Sequence, residues 1–165
     1  MKGAGLDAVV DRKTGAIAFT GAVLFDSGKN ELKDSGKQLL NAFIPVYIRT
    51  LMSEENEGYV GEIIIEGHTD TSGTYLHNLA LSQERALAVA QYCFGPEMTK
   101  LTSQEKKMLE TILTANGRSF SDPVYLSDGK TVDMESSRRV VFKFRMKDAE
   151  MIDQMSEILE GQQGD

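Results

Sequence analysis

The sequence predicts an α/β (α+β) two-layer sandwich, with helices packed on a mixed β-sheet. Three observations predict it. Stretches rich in β-branched and aromatic residues at 15–25, 62–67 and 139–146 read as strands. Apolar residues recurring at three, four and seven positions after Leu32, Thr74 and Thr102 read as amphipathic helices. The two kinds of segment alternate along the chain, which is the pattern of helices laid on a sheet.

Taken in order, residues 1–14 read as an N-terminal lead-in, 15–147 as the folded domain and 148–165 as a C-terminal amphipathic helix and tail. GAIAFTGAVLF, residues 15–25, predicts two short strands broken at Thr20-Gly21, with Asp26-Ser27-Gly28 as the turn that ends them. Leu32, Leu39, Leu40, Phe43, Tyr47 and Leu51 form a helical stripe, and Pro45 within it predicts a kink or a fresh helical start. SEENEGYVG, residues 53–61, reads as a polar loop. The run of three isoleucines in 62–67 predicts a central strand buried on both faces and covered by helices.

The next helix starts near Thr74, turns Leu79, Ala86, Val89 and Cys93 to one side, and stops at Gly95-Pro96. Thr102-Ser103-Gln104-Glu105 is a capping-box pattern, opening a helix whose apolar face is Met108, Leu109, Ile112 and Leu113. Residues 115–137 read as one long loop, and a loop of that length in a compact domain points to a function or an ordered excursion. RVVFKFRM, residues 139–146, alternates as a strand with one face more deeply buried. The acidic tail predicts a short helix that frays at Gly161.

Composition narrows the function classes. The chain has 165 residues, 41% hydrophobic and 26% charged, the balance of a globular protein with one core. A formal net charge of −7 and a pI near 4.9 argue against nucleic acid and anionic membrane surfaces, both of which reward clustered Lys and Arg. A neutral, cationic or zwitterionic ligand fits better. Cys93 is the one cysteine, so no intramolecular disulfide forms. No apolar run approaches a bilayer span, and the first residues lack the apolar core of a signal peptide.

The stretch EGHTDTSGTYLHNLALSQERA, residues 66–86, concentrates the candidate chemistry. A metal site would have to use His68, Asp70 and His77, but a strand end and a helix start do not present that spacing as a tetrahedral set, and HExxH and CxxC are absent. The plain reading of His68 is a loop residue hydrogen-bonded to backbone. Catalysis lacks a GxSxG elbow, Cys93 falls in a helix interior facing the core, and nothing is placed to orient a histidine as a base.

A ligand cradle has positive content. Asp70 follows the carboxyl end of a buried strand and precedes a helix N-terminus, the crevice where open α/β sheets hold ligands. Asn78 and Arg85 are two helical turns apart and share one stripe. Such a groove suits a zwitterion, its ammonium on the acid and its carboxylate on the planar guanidinium fork. The competing structural reading is that Asp70 caps its helix and Arg85 forms an ion pair with it. Spacing leaves both open.

The segments VLFDSGKNELKDSGKQLL (23–40), IIIEGHTDTSG (63–73), NLALSQERALAVAQYC (78–93) and SRRVVFKF (137–144) cover about half the chain. Together they resemble the peptidoglycan-associating domain of outer-membrane protein A, shared with peptidoglycan-associated lipoprotein and with the B subunits of flagellar-type stators. The resemblance implies a βαβ-rich sandwich that binds cell-wall stem peptides non-covalently through the zwitterionic end of diaminopimelate. It is not that of an enzyme and implies no cofactor. Carried over by position, Asp70 takes the amino group, Arg85 takes the carboxylate, and Asp26, Asn78 and Arg138 support the pocket.

Two departures accompany it. Ser137 stands where the family has Asn before its paired arginines, and the segments near 45–60 and 96–116 are longer than in compact members. Those lengths and the phrase ANGRSFSDP resemble stator-like B subunits, including those of the Zorya anti-phage system. The resemblance therefore implies work on the extracytoplasmic side of the envelope, an upstream membrane anchor joining a channel subunit, and a homodimer, for which the sequence offers the apolar stripe Ile152, Met155 and Leu159; the plain alternative is that this stripe packs on its own sheet. The alternative it leaves is a dimerisation module of a membrane motor subunit with weak wall binding or none.

Overall fold

Along Arg139–Met146, Val140 and Phe142 are buried while Arg145 is exposed, and the alternation becomes β5 of a five-stranded sheet. The computed structural model describes residues 8–53, 58–147 and 155–161. With β1 (Ala8–Val10), β2 (Ile17–Thr20), β3 (Val60–His68) and β4 (Leu113–Gly117), the sheet has the order β1-β2-β5-β3-β4. β3 pairs antiparallel with β5 and parallel with β4, so the sheet is mixed.

The helices are α1 (Gly21–Leu24), α2 (Asp34–Leu51), α3 (Tyr75–Phe94), α4 (Ser103–Leu109) and α5 (Met134–Ser137). Leu40, Phe43, Ile44 and Ile48 of α2 and Ala86, Val89 and Cys93 of α3 join Phe19, Ile63, Ile65, Val140 and Phe142 of the sheet in one core. Phe43 is its hinge point, edge-on to Phe19 at 4.8 Å and to Phe142 at 5.1 Å between ring centres. α3 is seated very close to the sheet. A Cβ at Gly67 would collide with the Ser82 carbonyl, and one at Gly117 would stand 2.5 Å from the Gln83 nitrogen.

The two-layer α/β architecture is as the sequence predicts, with local differences. The second strand expected at 21–25 is the helical turn α1, because Gly21 donates to the Arg138 carbonyl at 2.7 Å and Phe25 then closes the turn on Gly21 at 2.8 Å. α2 is continuous through Pro45, so of the two outcomes expected there the fresh helical start does not occur. β1 lies inside the stretch read as a lead-in and forms an edge of the sheet. α4 ends at Leu109, short of Ile112 and Leu113 of its expected face, and β4 takes Leu113 and the start of the long loop, held by its parallel pairing with β3. Both faces of β3 are buried as expected, but Ile64, Glu66 and His68 on its second face lie outside the main apolar core, and the last two are polar.

On that second face Glu66 accepts from Lys143 Nζ at 2.6 Å and lies 3.1 Å from His68 Nε2, with Arg118 at 3.6 Å. His68 is therefore a buried strand residue paired with a carboxylate, not a loop residue bonded to backbone. Residues 155–161 are helical, with Met155 and Leu159 exposed; Ile152 lies outside the described residues.

Candidate functional site

β3 ends at His68, and the chain turns through Thr69 to Thr74 before α3 begins at Tyr75. Thr74 caps α3, its hydroxyl oxygen accepting from the His77 amide at 3.2 Å. Asp70 is thereby free of capping. Its Oδ1 accepts from the Ser72 amide at 3.0 Å and from the Ser72 hydroxyl, and its Oδ2 accepts from Arg138 Nη1 at 2.6 Å. Burial pushes Asp70 upward, but Ser72 and Arg138 outweigh it and hold the carboxyl below the usual aspartate range.

Arg85 reaches the same place from within α3 and is only 7% exposed. Its Nε donates to the Lys29 carbonyl at 2.9 Å and its Nη2 to the Asp26 carbonyl at 3.3 Å, while the guanidinium lies 5.1 Å from the centre of the Phe25 ring. These partners are neutral. Burial and then the neighbouring Arg138 lower its pKa, with Asp70 opposing them.

The side chains enclose a cleft of about 650 Å³ lined by Asp26, Asp70, Asn78, Arg85 and Arg138, with Lys33 and His77 also on its wall. All five residues singled out from the sequence therefore meet in one cavity, though not in equal capacities. Asp26 turns its carboxylate outward, 72% exposed and 3.7 Å from Lys33, and serves Arg85 through its backbone carbonyl. Asn78 is buried and fastens the Asp70 loop, donating to the Ser72 and Thr74 carbonyls at 2.7 and 3.0 Å. Asp70 and Arg85 are not ion-paired with each other: Arg138 takes the acid, which removes the competing structural reading for Arg85.

Ser137 does not line the cleft. It is buried and clamps the preceding loop, exchanging hydrogen bonds with the Val124 amide and carbonyl at 2.9 and 3.3 Å. Cys93 is buried in the core, and burial pushes its thiol up to about 12. Among the described residues no group of three His, Cys, Asp or Glu side chains could hold a metal ion. Sequence reasoning passed over Ser72, Phe25 and the Lys29 carbonyl. Of these, Ser72 carried a signal, as a hydroxyl two residues after an acid in a turn.

Fold and site together define a class: two-layer α/β sandwich domains with a charged cleft where an inner strand hands over to a helix. The OmpA family matches residues 24–123, and the chain belongs to that family, whose peptidoglycan-binding and stator members are structural and non-enzymatic. Two Zorya proteins ZorB from Escherichia coli are 35% and 31% identical over 146 residues, covering 83% and 85% of this chain. The chain spans 60% and 56% of their lengths. The solved periplasmic domain of Helicobacter pylori MotB superposes with a TM-score of 0.61 at 15% identity, covering 94% of this chain and 97% of that one. The cell wall anchor of the T6SS from Pseudomonas aeruginosa gives 0.54 at 22% identity, covering 85% and 88%. Both superpositions show the shared fold.

Proposed function

We propose that this domain anchors an envelope protein or stator complex to the cell wall by gripping a zwitterionic stem-peptide residue such as diaminopimelate. One observation carries the reading. Arg85 is a buried guanidinium whose hydrogen bonds go to neutral carbonyls, while Asp70, the acid that acts on it across the cleft, is ion-paired to Arg138, so no ion pair is formed by Arg85 itself among the described residues. A ligand carboxylate supplies a counter-ion in a bidentate fork, and the ligand ammonium goes to Asp70 across the same cavity. Arg138 and Asn78 hold Asp70 and its loop in place for that exchange.

In this reading the domain works on the extracytoplasmic side of the envelope and is joined through upstream chain to a membrane channel subunit. Among the described residues no helix is long and apolar enough to cross a membrane. A second reading, a dimerisation module of a motor subunit with weak or no wall binding, draws on the exposed Met155 and Leu159.

Sedimentation with purified sacculi separates the two. Asp70→Ala and Arg85→Ala should each lose the pelleted fraction, since removing one partner of a desolvated charge pair costs on the order of 2–5 kcal/mol. Arg85→Lys should fail as well, because a point charge cannot reproduce the fork. Circular dichroism of all three should match wild type. Undiminished pelleting by both alanine variants would sink the wall-binding reading.

A further inference from the structure

Ser119 is fully buried and is the one non-glycine residue with positive φ, 53°, among the described residues. For a residue with a Cβ that conformation costs free energy, so the surroundings must impose it. Three polar groups of Ser119 do so. Its amide donates to Ser82 Oγ at 3.0 Å, its hydroxyl donates to the Tyr75 carbonyl at 2.8 Å, and its carbonyl accepts from the Thr69 amide at 2.9 Å.

Each of these partners adjoins a part of the cleft. Thr69 precedes Asp70, Tyr75 is the first residue of α3 after the Asp70 loop, and Ser82 lies one turn before Arg85. The same neighbourhood fixes α3 along the sheet: Gln83 accepts from the Gly117 amide at 2.8 Å and donates to the Ala115 carbonyl at 3.2 Å, over the two glycines that admit the helix. A slip of one residue would move Arg85 by about 1.5 Å along the axis and turn it by about 100°. The acid and the guanidinium come from different elements, so something must hold those elements in register.

From this geometry we infer that Ser119 is a positioning residue for the cleft: it touches no ligand, and it locks the Asp70 loop to the helix that carries Arg85. The inference deepens the wall-binding reading and rests on it for its binding consequence. The hydroxyl is the separable part. Ser119→Gly keeps both backbone bonds and relieves the positive φ, yet deletes the bond to Tyr75.

The experiment compares wild type with Ser119→Gly by three measurements: the urea midpoint, NMR exchange of the Ser72 amide and the Arg85 Nε–H, and sacculus sedimentation. The expected result is an unchanged or higher midpoint, severalfold faster exchange at Ser72 and Arg85 with unchanged exchange at Ile63 and Ile65, and sacculus affinity weakened about three- to tenfold, the scale of one neutral hydrogen bond. Unchanged exchange at Ser72 and Arg85 overturns the positioning role. So does a fall in midpoint accompanied by equal loss of protection at Ile63 and Ile65, which marks Ser119 as ordinary core. Wild-type protein that ignores sacculi while the exchange difference persists counts against wall binding alone and leaves the positioning role standing.

Discussion

Glu66 illustrates how much a single side chain carries outside the cleft. It is nearly inaccessible, and burial alone would raise its pKa, but His68 and Lys143 outweigh burial and bring it to about 2, from 4.5 when unfolded. A carboxyl whose pKa is depressed by folding contributes stability that is fully present above the unfolded value and lost as pH falls through the folded one. The window here is pH 4.5 down to about 2. A difference of that size corresponds to roughly 3 kcal/mol. Urea unfolding at pH 6, 4, 3 and 2 should therefore show a steep acid loss for wild type. Glu66→Gln, already weaker at pH 6 because Lys143 loses its counter-ion, should show a flatter limb; parallel acid limbs would show that Glu66 is not the group responsible. The same sign applies to Asp70, whose depressed pKa keeps it ionised, and so able to receive an ammonium, below the usual aspartate range.

At the scale of elements, one glycine and one cap are unequal in consequence. Gly67 admits α3 to the sheet, and a methyl group there meets the Ser82 carbonyl, a backbone atom that can move only with the helix. Gly67→Ala should cost about 3 kcal/mol and displace Arg85. Thr102→Ala removes one arm of the α4 capping box, in which the Glu105 amide donates to the Thr102 hydroxyl oxygen at 3.1 Å and the Thr102 amide to Glu105 Oε1 at 3.0 Å, and should cost about 1 kcal/mol. Urea midpoints rank the pair, and equal losses would refute the close-packing argument. α4's start was legible because its capping box is written in adjacent residues, α3's start near Thr74 because a helical stripe follows it, and β5 because its alternation is long; that Thr74 and not Asp70 caps α3 was not legible. β4 was not, since Leu113-Thr114-Ala115-Asn116-Gly117 carries a turn-like end and becomes a strand by lying beside β3. α1 failed for the related reason that its strand-like residues are overruled by a hydrogen bond to Arg138. In the cleft, charged side chains were legible by type, whereas the carbonyls of Asp26 and Lys29 and the backbone of Ser119 have no signature in a sequence.

For the whole molecule, the distribution of charge decides how copies meet. The last 18 residues carry Asp148, Glu150, Asp153, Glu157, Glu160 and Asp165 and no Lys or Arg, against a formal net charge of −7 for the entire chain. Nearly all of the net charge thus sits on the tail, whose described helical part exposes Met155, Ile158 and Leu159. Those residues recur at three and four positions and form one apolar stripe. If two copies pair through it, as proposed from Ile152, Met155 and Leu159, burial of the stripe favours association and repulsion between two acidic helices opposes it. Salt shortens the reach of that repulsion, to roughly 8 Å at 0.15 M and 3 Å at 1 M, and leaves the apolar contact intact. Dimerisation should therefore strengthen with salt, the reverse of an assembly held by ion pairs. Light scattering over a concentration series in 0.05 and 0.5 M NaCl should show mass rising from the 18.2 kDa chain toward twice that value, at lower concentration in the higher salt. Met155→Glu with Leu159→Glu should abolish the rise. A single 18.2 kDa species at every concentration and both salts would defeat pairing through this stripe.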